Sequence, residues 1–120
     1  MVKLVFCCRR RPELSLEQFQ KRWLELHGPL VRRMREQIPQ MKRYVQSHTI
    51  PGEPSEMLRA SRGAGPPFDG ITEVWFDSLA ALGASGEAGL AAARRLYEDE
   101  AEFIDFAHSA VFLTEEHEIF

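Results

Sequence analysis

The feature that most restricts the fold is a fully marked helix start in the segment "LSLEQFQKRWLELHGPL". Ser15 is placed to accept a hydrogen bond from the backbone N–H of Gln18, and the Gln18 side chain is placed to return one, which together form a capping box. Leu14 and Phe19 occupy the positions of a hydrophobic staple around this start. The segment therefore predicts an α-helix that begins directly after Ser15.

Apolar residues then recur at helical spacing, which predicts a stripe that packs against another layer: Phe19, Trp23, Leu26 and Leu30. Gly28 precedes Pro29, and a residue before proline is disfavoured in the helical region. We therefore expect a kink or break at Gly28, followed by a second helical piece to about Gln37.

Four apolar runs predict β-strands, at 2 to 9, in "MKRYVQSHTI" from 41, in "ITEVWFDS" from 71 and in "SAVFLTEEHEIF" from 109. An alanine-rich helix is predicted to end near 101. The stretch 51–70 is rich in Pro, Gly and Ser and lacks periodicity, so we expect a long loop that acts as a lid. The order β-α-β-β-α-β indicates an α+β, ferredoxin-like fold, with a four-stranded antiparallel sheet and helices on one face.

The length of 120 residues favours one domain over residues 1–120. So small a core makes a substrate cavity easier to build between two subunits than inside one, and a homodimer is the expected assembly. The net charge of −3 and the pI near 5.8 argue against a nucleic-acid partner. Adjacent Cys7 and Cys8 form no disulfide framework, and the opening apolar stretch is too short for a signal peptide or a membrane span. We expect a cytoplasmic protein with no membrane partner.

Alternation along the second and third strands predicts a mixed polar and aromatic surface. Tyr44, Gln46 and His48 share one face of the second strand, and Glu73 and Trp75 share one face of the third. The apolar residues of the other faces suit packing under the helices: Val45 with Thr49, and Val74 with Phe76. Two sheets that face each other across a dimer would then enclose pockets for a small molecule.

His27 stands directly before Gly28-Pro29, near the predicted end of the first helical piece. Backbone carbonyls at a helix end favour a protonated imidazolium, which suits a general acid or a proton shuttle. The alternative is a histidine that caps free carbonyls at the kink.

A second group of residues has the equipment for proton abstraction next to a carbonyl and for stabilisation of an enolate. We assign proton handling to Tyr44 and His48, orientation to Glu73, stacking to Trp75, and further substrate contacts to Gln46 and Trp23. The alternative is a hydrogen-bonded network that fills a dimer interface.

The remaining signals favour structural roles. Asp99 and Glu100 oppose the dipole near a helix C-terminus, so we expect an ionic clasp, for example to Arg94 or Arg95. Cys8 suits a small buried filler better than a nucleophile. Phosphate-loop, zinc and hydrolase motifs do not occur, and the four histidines are too scattered to indicate a metal site.

Four segments of the chain resemble one known family. "FQKRWLELHGPLV" is similar to the F-x-x-x-W-x-x-x-H-x-P-L-V signature of EthD-domain proteins, and "RYVQSH", "FDGITEVWFDS" and "EDEAEFIDF" are similar to its later blocks, in the same order. The resemblance implies a ferredoxin-like domain that pairs into a dimeric α/β barrel, and its motif retains His27. Members and relatives include cofactor-free isomerases, decarboxylases, cyclases and oxygenases, some haem-binding enzymes and many domains without an assigned activity.

The residues and the resemblance together predict cofactor-free acid/base chemistry, of the isomerase, lyase or cyclase type, on a small apolar carbonyl metabolite. A non-catalytic ligand-binding or accessory protein of a degradation or biosynthetic pathway is one alternative. A cofactor-independent or haem-dependent oxygenase is another. No cofactor and no metal are expected.

Overall fold

The computed structural model describes residues 1–120. Its strands are β1 (Val2–Cys8), β2 (Arg43–His48), β3 (Gly70–Phe76) and β4 (Ala110–Glu115). Its α-helices are α1 (Leu16–Arg22), α2 (Gly28–Met34), α3 (Glu53–Ser61), α4 (Leu79–Leu82) and α5 (Glu87–Glu100). A π-helical turn (Trp23–His27) joins α1 to α2, and 3-10 turns lie at Arg35–Gln37 and Phe106–His108.

The four strands form one antiparallel sheet in the order β2-β3-β1-β4. The helices cover one face of this sheet and leave the other open. The predicted α+β, ferredoxin-like architecture with a four-stranded antiparallel sheet is confirmed.

The predicted helix start is present in full. The Gln18 backbone N–H donates to Ser15 Oγ at 3.1 Å, and the Ser15 N–H donates to Gln18 Oε1 at 2.9 Å. Leu14 packs against the buried cluster that contains Phe19, as a staple requires. This capping box sets where the long helical segment begins.

A kink or break was predicted at Gly28, and the break is wrong. Gly28 is helical, with φ −54° and ψ −52°, and its N–H donates to the carbonyl of Trp23 at the end of the π turn. Pro29 lies in the first turn of α2, where a missing N–H is tolerated. The wider π turn therefore carries the helix through the Gly-Pro pair without a break.

The π turn also changes which side chain faces inward. A wider turn rotates the following residues back around the axis, so His27 replaces Leu26 on the inner side. Leu26 is 60% exposed, whereas His27 is only 2% exposed. Phe19, Trp23 and Leu30 are buried as predicted.

The strand faces differ from the prediction. Tyr44 lies opposite the buried Val74, whereas Val45 lies opposite Glu73. Tyr44, Gln46 and His48 are therefore on the helix-covered face, and Glu73 and Trp75 are on the open one: the expected grouping of all five is wrong. Polar residues occur on both faces of β2, so alternation alone did not show which face the helices cover.

The stretch 51–70 is not wholly a loop, because α3 lies within it. Glu53 and Pro54 start this helix, and Arg59 forms an ion pair with Glu56 one turn earlier. None of its residues is buried, so its sequence lacks the apolar periodicity that would have indicated a helix.

Two buried clusters support the helical layer. The first consists of Cys8, Phe19, Trp23, Phe103 and Ile104. The second consists of Leu30, Val31, Ile38, Ala92 and Leu96. The first cluster is flanked by Phe6 and Phe106, and the second by Met41 and Tyr44. All four of these flanking residues line one apolar cavity, which therefore lies between the two clusters.

Gly70 is the point of closest approach between the sheet and the helical layer. A Cβ at Gly70 would lie 2.8 Å from Trp23 Cη2 and 3.0 Å from the Ser47 carbonyl oxygen. We expect Gly70→Ala to lower the free energy of unfolding by about 1–3 kcal/mol through overpacking. Gly65→Ala is the matched control, because no atom lies within 4 Å of the position that its added methyl group would take. Equal urea midpoints for the two variants would contradict this packing.

Candidate functional site

The cavity between the sheet and the helices has a volume of about 530 Å³ and is lined by 15 residues, 11 of them hydrophobic. Its polar side chains include His27, Tyr44, Thr72 and Glu100. A mostly apolar pocket with a few polar groups is the usual composition of a small-molecule site. The cavity lies between the sheet and the helices of one chain, rather than between the facing sheets of two subunits as expected from the sequence.

An ion-paired carboxylate holds His27 in place. His27 Nδ1 lies 2.7 Å from Asp99 Oδ2. Arg22 donates to both oxygens of the same carboxylate, at 2.6 and 3.2 Å. Burial acts to raise the pKa of Asp99, but the hydrogen bonds from Arg22 and His27 outweigh it and lower that pKa. Asp99 is therefore an anion, and it accepts a hydrogen bond from a nitrogen that carries a proton.

This arrangement selects one tautomer of His27. Because Asp99 only accepts hydrogen bonds, Nδ1 carries the ring proton and Nε2 keeps its lone pair. Burial lowers the pKa of His27, and Asp99 only partly opposes that shift. The imidazole is thus neutral at pH 7, and Nε2 can accept a proton.

The structure changes the local basis for both sequence-based interpretations of His27. The helix continues through this position, so no free helix-end carbonyls surround the ring, either to favour an imidazolium or to need a cap. The partner of His27 is Asp99, and its protonation state suits a general base rather than a general acid.

Glu100 is the second titratable group of the cavity. Burial, with a smaller contribution from the Asp99 charge, raises the pKa of Glu100 to about 7. Glu100 Oε2 lies 3.7 Å from His27 Nε2, beyond direct hydrogen-bond distance. A neutral base and a carboxyl that titrates near pH 7 therefore stand side by side.

Tyr44 lines the cavity from the sheet. Gln46 Nε2 donates to Tyr44 Oη at 3.2 Å and to the Trp23 carbonyl at 3.0 Å. Burial raises the pKa of Tyr44, so the hydroxyl keeps its proton. Since Oη accepts from Gln46, the phenol proton is available for a hydrogen bond to an acceptor in the cavity.

The other predicted residues of β2 and of the π turn lie behind the cavity wall. His48 stacks on Trp23 at a centroid distance of 4.5 Å and contacts Gln46 Oε1 through Nε2 at 2.9 Å. Burial lowers the pKa of His48. His48, Gln46 and Trp23 do not line the cavity, and Trp23 is fully buried in the first cluster. Their position suits support of Tyr44 rather than contact with a substrate.

Glu73 and Trp75 are not part of this site. Glu73 forms an ion pair with Lys3 at 2.7 Å on the open face of the sheet. Trp75 lies between the cationic groups of Lys3 and Arg43, and its indole N–H donates to Glu116 at 2.7 Å. The sheet separates both side chains from His27 and Tyr44, so the predicted four-residue set is not assembled in one place.

Sequence reasoning missed the partners of His27. Asp99 and Glu100 were expected to form a structural clasp, and Asp99 does bind an arginine, but that arginine is Arg22 rather than Arg94 or Arg95. Acidic side chains in the last turn of a helix oppose its dipole, and this was the one available signal that they have partners elsewhere.

Cys8 is fully buried, and burial raises the pKa of its thiol to about 12, as suits a packing residue. No group of three or more His, Cys, Asp or Glu side chains is placed to hold a metal ion. None of the helices has the length and apolar character needed to cross a membrane.

The raised pKa of Glu100 predicts a pH-dependent stability. The folded state favours the protonated carboxyl, so it binds more protons than the unfolded chain between about pH 4.5 and 7, and stability falls as pH rises through that window. Glu100→Gln should remove this loss, which amounts to on the order of 2–3 kcal/mol. Urea midpoints at pH 5 and pH 8 test this, with the exposed Glu102→Gln as the control. A fall in stability from pH 5 to pH 8 that survives in Glu100→Gln would contradict the assignment, whereas the lowered pKa of His27 acts in the opposite direction.

Comparison with known proteins identifies the family to which this sequence belongs. The EthD domain model matches residues 11–107. The fold is similar to that of an EthD family protein from Bacillus halodurans, at 21% identity and a TM-score of 0.63, over 98% of this chain and 99% of that chain. No curated protein matches this chain significantly.

Two further solved structures have the same fold. One is a dimeric protein of unknown function with a ferredoxin-like fold from Bacteroides fragilis, at 14% identity and a TM-score of 0.60, over 96% of this chain and 95% of that chain. The other is a dimeric ferredoxin-like protein of unknown function from Thermobifida fusca, at 11% identity and a TM-score of 0.59, over 94% of this chain and 88% of that chain. The structures show the fold, and the family model spans most of the sequence: this chain belongs to the EthD-domain family.

Proposed function

We propose that this protein catalyses cofactor-free proton transfer on a small, largely apolar carbonyl compound bound between the sheet and the helices. The observation that carries the proposal is a buried histidine, fixed by Asp99 through Nδ1, whose Nε2 faces Glu100 in an apolar cavity. A purely structural histidine would have no need of a second titratable group and an adjoining space.

His27 acts as the general base. Nε2 takes a proton from the carbon next to the substrate carbonyl, and the imidazolium that forms is stabilised by the anionic Asp99. Arg22 keeps Asp99 charged and oriented. Asp99 and Arg22 are positioning residues, because their contacts reach the substrate only through His27.

Tyr44 and Glu100 complete the proton balance. The Tyr44 hydroxyl donates a hydrogen bond to the carbonyl oxygen as it gains negative charge in the enolate. Glu100 delivers a proton to another carbon or to a leaving oxygen, and the proton held by His27 then restores the Glu100 carboxyl. Isomerisation, elimination and intramolecular cyclisation all fit this exchange.

A deuterium-exchange screen tests the proposal. Carbonyl compounds that fit the cavity are incubated with the protein in deuterated buffer, and exchange at the carbon next to the carbonyl is followed by NMR. We expect catalysed exchange with wild type and none with His27→Gln. Compounds that bind to the cavity yet exchange no faster than in buffer would contradict catalysis and favour a ligand-binding or accessory protein.

The assembly is proposed to be a homodimer in which the open sheet faces of two copies pair. The open face carries apolar Val5, Val45, Ile71 and Phe112 beside the Lys3–Glu73 ion pair. An apolar sheet face without a covering layer favours a second copy, and similar structures are described as dimeric.

The location is proposed to be cytoplasmic. Both cysteines are free thiols, which suits the reducing cytosol.

Phe112→Asp tests the proposed dimer. A charge on the open face, where Phe112 lies beside Val5 on the edge strand β4, should shift the protein to a monomer in size-exclusion chromatography with light scattering, because an unpaired charge would be buried by pairing. Leu113→Asp is the matched control, since Leu113 is similarly exposed on the same strand, at 47% against 49%, but points to the opposite face. A dimer that persists in Phe112→Asp would exclude this interface.

A further inference from the structure

A second concavity, here called the basic groove, adjoins the apolar cavity. It has a volume of about 720 Å³ and lies between the Leu24–Arg35 side of the long helical segment and the start of β2. Val31, Met41 and Tyr44 line both spaces. A ligand seated in the cavity can therefore extend past Tyr44 into the groove.

The groove has an unbalanced charge. Four of its ten lining residues are cationic, namely Arg32, Arg35, Lys42 and Arg43, and none is acidic. The guanidinium of Arg43 lies over the Trp75 ring on the open face of the sheet, so Arg32, Arg35 and Lys42 are the cations left for a ligand. The chain as a whole is acidic, with a net charge of −3, so this concentration of positive charge is not a general property of its surface. Like charges placed together repel one another and weaken the fold unless an anion lies between them.

The two helical arginines of the groove, Arg32 and Arg35, lack carboxylate partners. No acidic oxygen lies within 4.0 Å of the guanidinium of Arg32 or Arg35. They are three residues apart on one helical face, so both can reach the same ligand group. Lys42 has only an exposed, 3.7 Å pairing with Asp77. Guanidinium groups bind carboxylates and phosphates through paired hydrogen bonds.

We propose that the basic groove binds the anionic group of the substrate while its apolar carbonyl-bearing part occupies the cavity. This inference rests on the proposed function and specifies its substrate class: an apolar carbonyl compound that carries a carboxylate or a phosphate. Arg32 and Arg35 are the primary contacts, and Lys42 adds positive charge at the edge.

Two fluorescent probes with the same ring system separate the groove from the cavity. 8-Anilinonaphthalene-1-sulfonate carries an anionic group, and N-phenyl-1-naphthylamine lacks it. We expect Arg32→Gln/Arg35→Gln to weaken binding of the anionic probe about tenfold, which is the scale of two partly exposed ionic contacts, and to leave the neutral probe unchanged.

A charge-matched variant controls for general electrostatics. Arg33→Gln/Arg94→Gln removes two exposed arginines that do not line the groove, so it changes the net charge equally. It should leave the affinity of both probes at the wild-type value. Equal loss of the anionic probe in both double variants would overturn the proposal.

Displacement of the anionic probe by three ten-carbon compounds identifies the anionic group. We expect decanoate or decyl phosphate to act at a concentration at least tenfold below that of decanol, and the more effective of the two names the group. Equal displacement by decanol would contradict the anion site. Binding of the neutral probe without any preference for anions contradicts this inference alone, whereas failure of both probes to bind contradicts the cavity as well.

Discussion

His27→Gln is expected to lower turnover by about 10²–10⁴-fold, the usual contribution of a general base. Glutamine is polar and of similar length, so it can retain a hydrogen bond to Asp99 while it offers no basic nitrogen. Turnover is measured on the compound that the deuterium-exchange screen selects. The loss should appear in kcat, because the proton is transferred after the substrate has bound.

The control for this variant is His108→Gln. His108 is exposed and bonds to Asp105, away from the cavity. It should turn over substrate at the wild-type rate. A His27→Gln protein that is folded and retains more than about a tenth of wild-type turnover would exclude His27 as the base.

Asp99→Asn is expected to change the pH–rate profile, which a purely structural role of Asp99 would leave unchanged. An amide in place of the carboxylate removes the charge that stabilises the imidazolium, so the kinetic pKa of His27 should fall further and the acid limb of the pH–rate profile should move to lower pH. A profile that is unchanged while the rate falls would show that Asp99 acts on packing alone.

Trp23→Ala is expected to lower the free energy of unfolding by about 3–5 kcal/mol, the range for a fully buried large aromatic residue. Trp23 contacts Phe19 and His48 through its ring and lies against Gly70, so its removal opens a cavity where the sheet meets the helices. A loss of that size is a large share of the stability of a small domain.

Leu26→Ala on the same helical segment is the matched control for Trp23→Ala. A regular α-helix would place Leu26 in the core, as the sequence pattern predicted, whereas the π turn leaves it 60% exposed. Its truncation should change the unfolding free energy by less than about 0.5 kcal/mol in urea denaturation. A core-sized loss for Leu26→Ala would contradict the π turn, which leaves this side chain exposed.

Much of the fold could be predicted because its signals are local. The capping box at Ser15 and Gln18 uses residues three positions apart, and the strands have the short apolar runs typical of a sheet. The order β-α-β-β-α-β then indicated a ferredoxin-like sheet, and the family signature implied the same fold. Local patterns failed at α3, because a helix with no buried residue has no stripe to detect.

The candidate site was only partly predictable, because its geometry depends on contacts between distant segments. His27 and Tyr44 were predicted as proton carriers, and the structure brings both to one cavity, while their role stays a proposal. Asp99 lies 72 positions from His27, and no local pattern reports that contact. Glu73 was misplaced because alternation gives two faces without showing which one the helices cover.

The sequence also did not show which side chains of the long helical segment face the core. A regular helical repeat places both Leu26 and His27 near the face of Trp23, whereas across the π turn His27 is buried and Leu26 is exposed. The position of Pro29 suggested a break, yet the structure accommodates it in the first turn of α2. Small departures from regular geometry are thus what build the site on a common fold.

The most direct test of the site is the protonation of its two titratable groups, measured by NMR on protein labelled with ¹⁵N-histidine and ¹³C-glutamate. At pH 7 we expect His27 as the neutral tautomer with the proton on Nδ1, and its pKa below the usual value. The Glu100 carboxyl should titrate near pH 7. A protonated imidazolium, a proton on Nε2, or a Glu100 carboxyl that titrates near its ordinary value would contradict the neutral base on which the proposed chemistry depends.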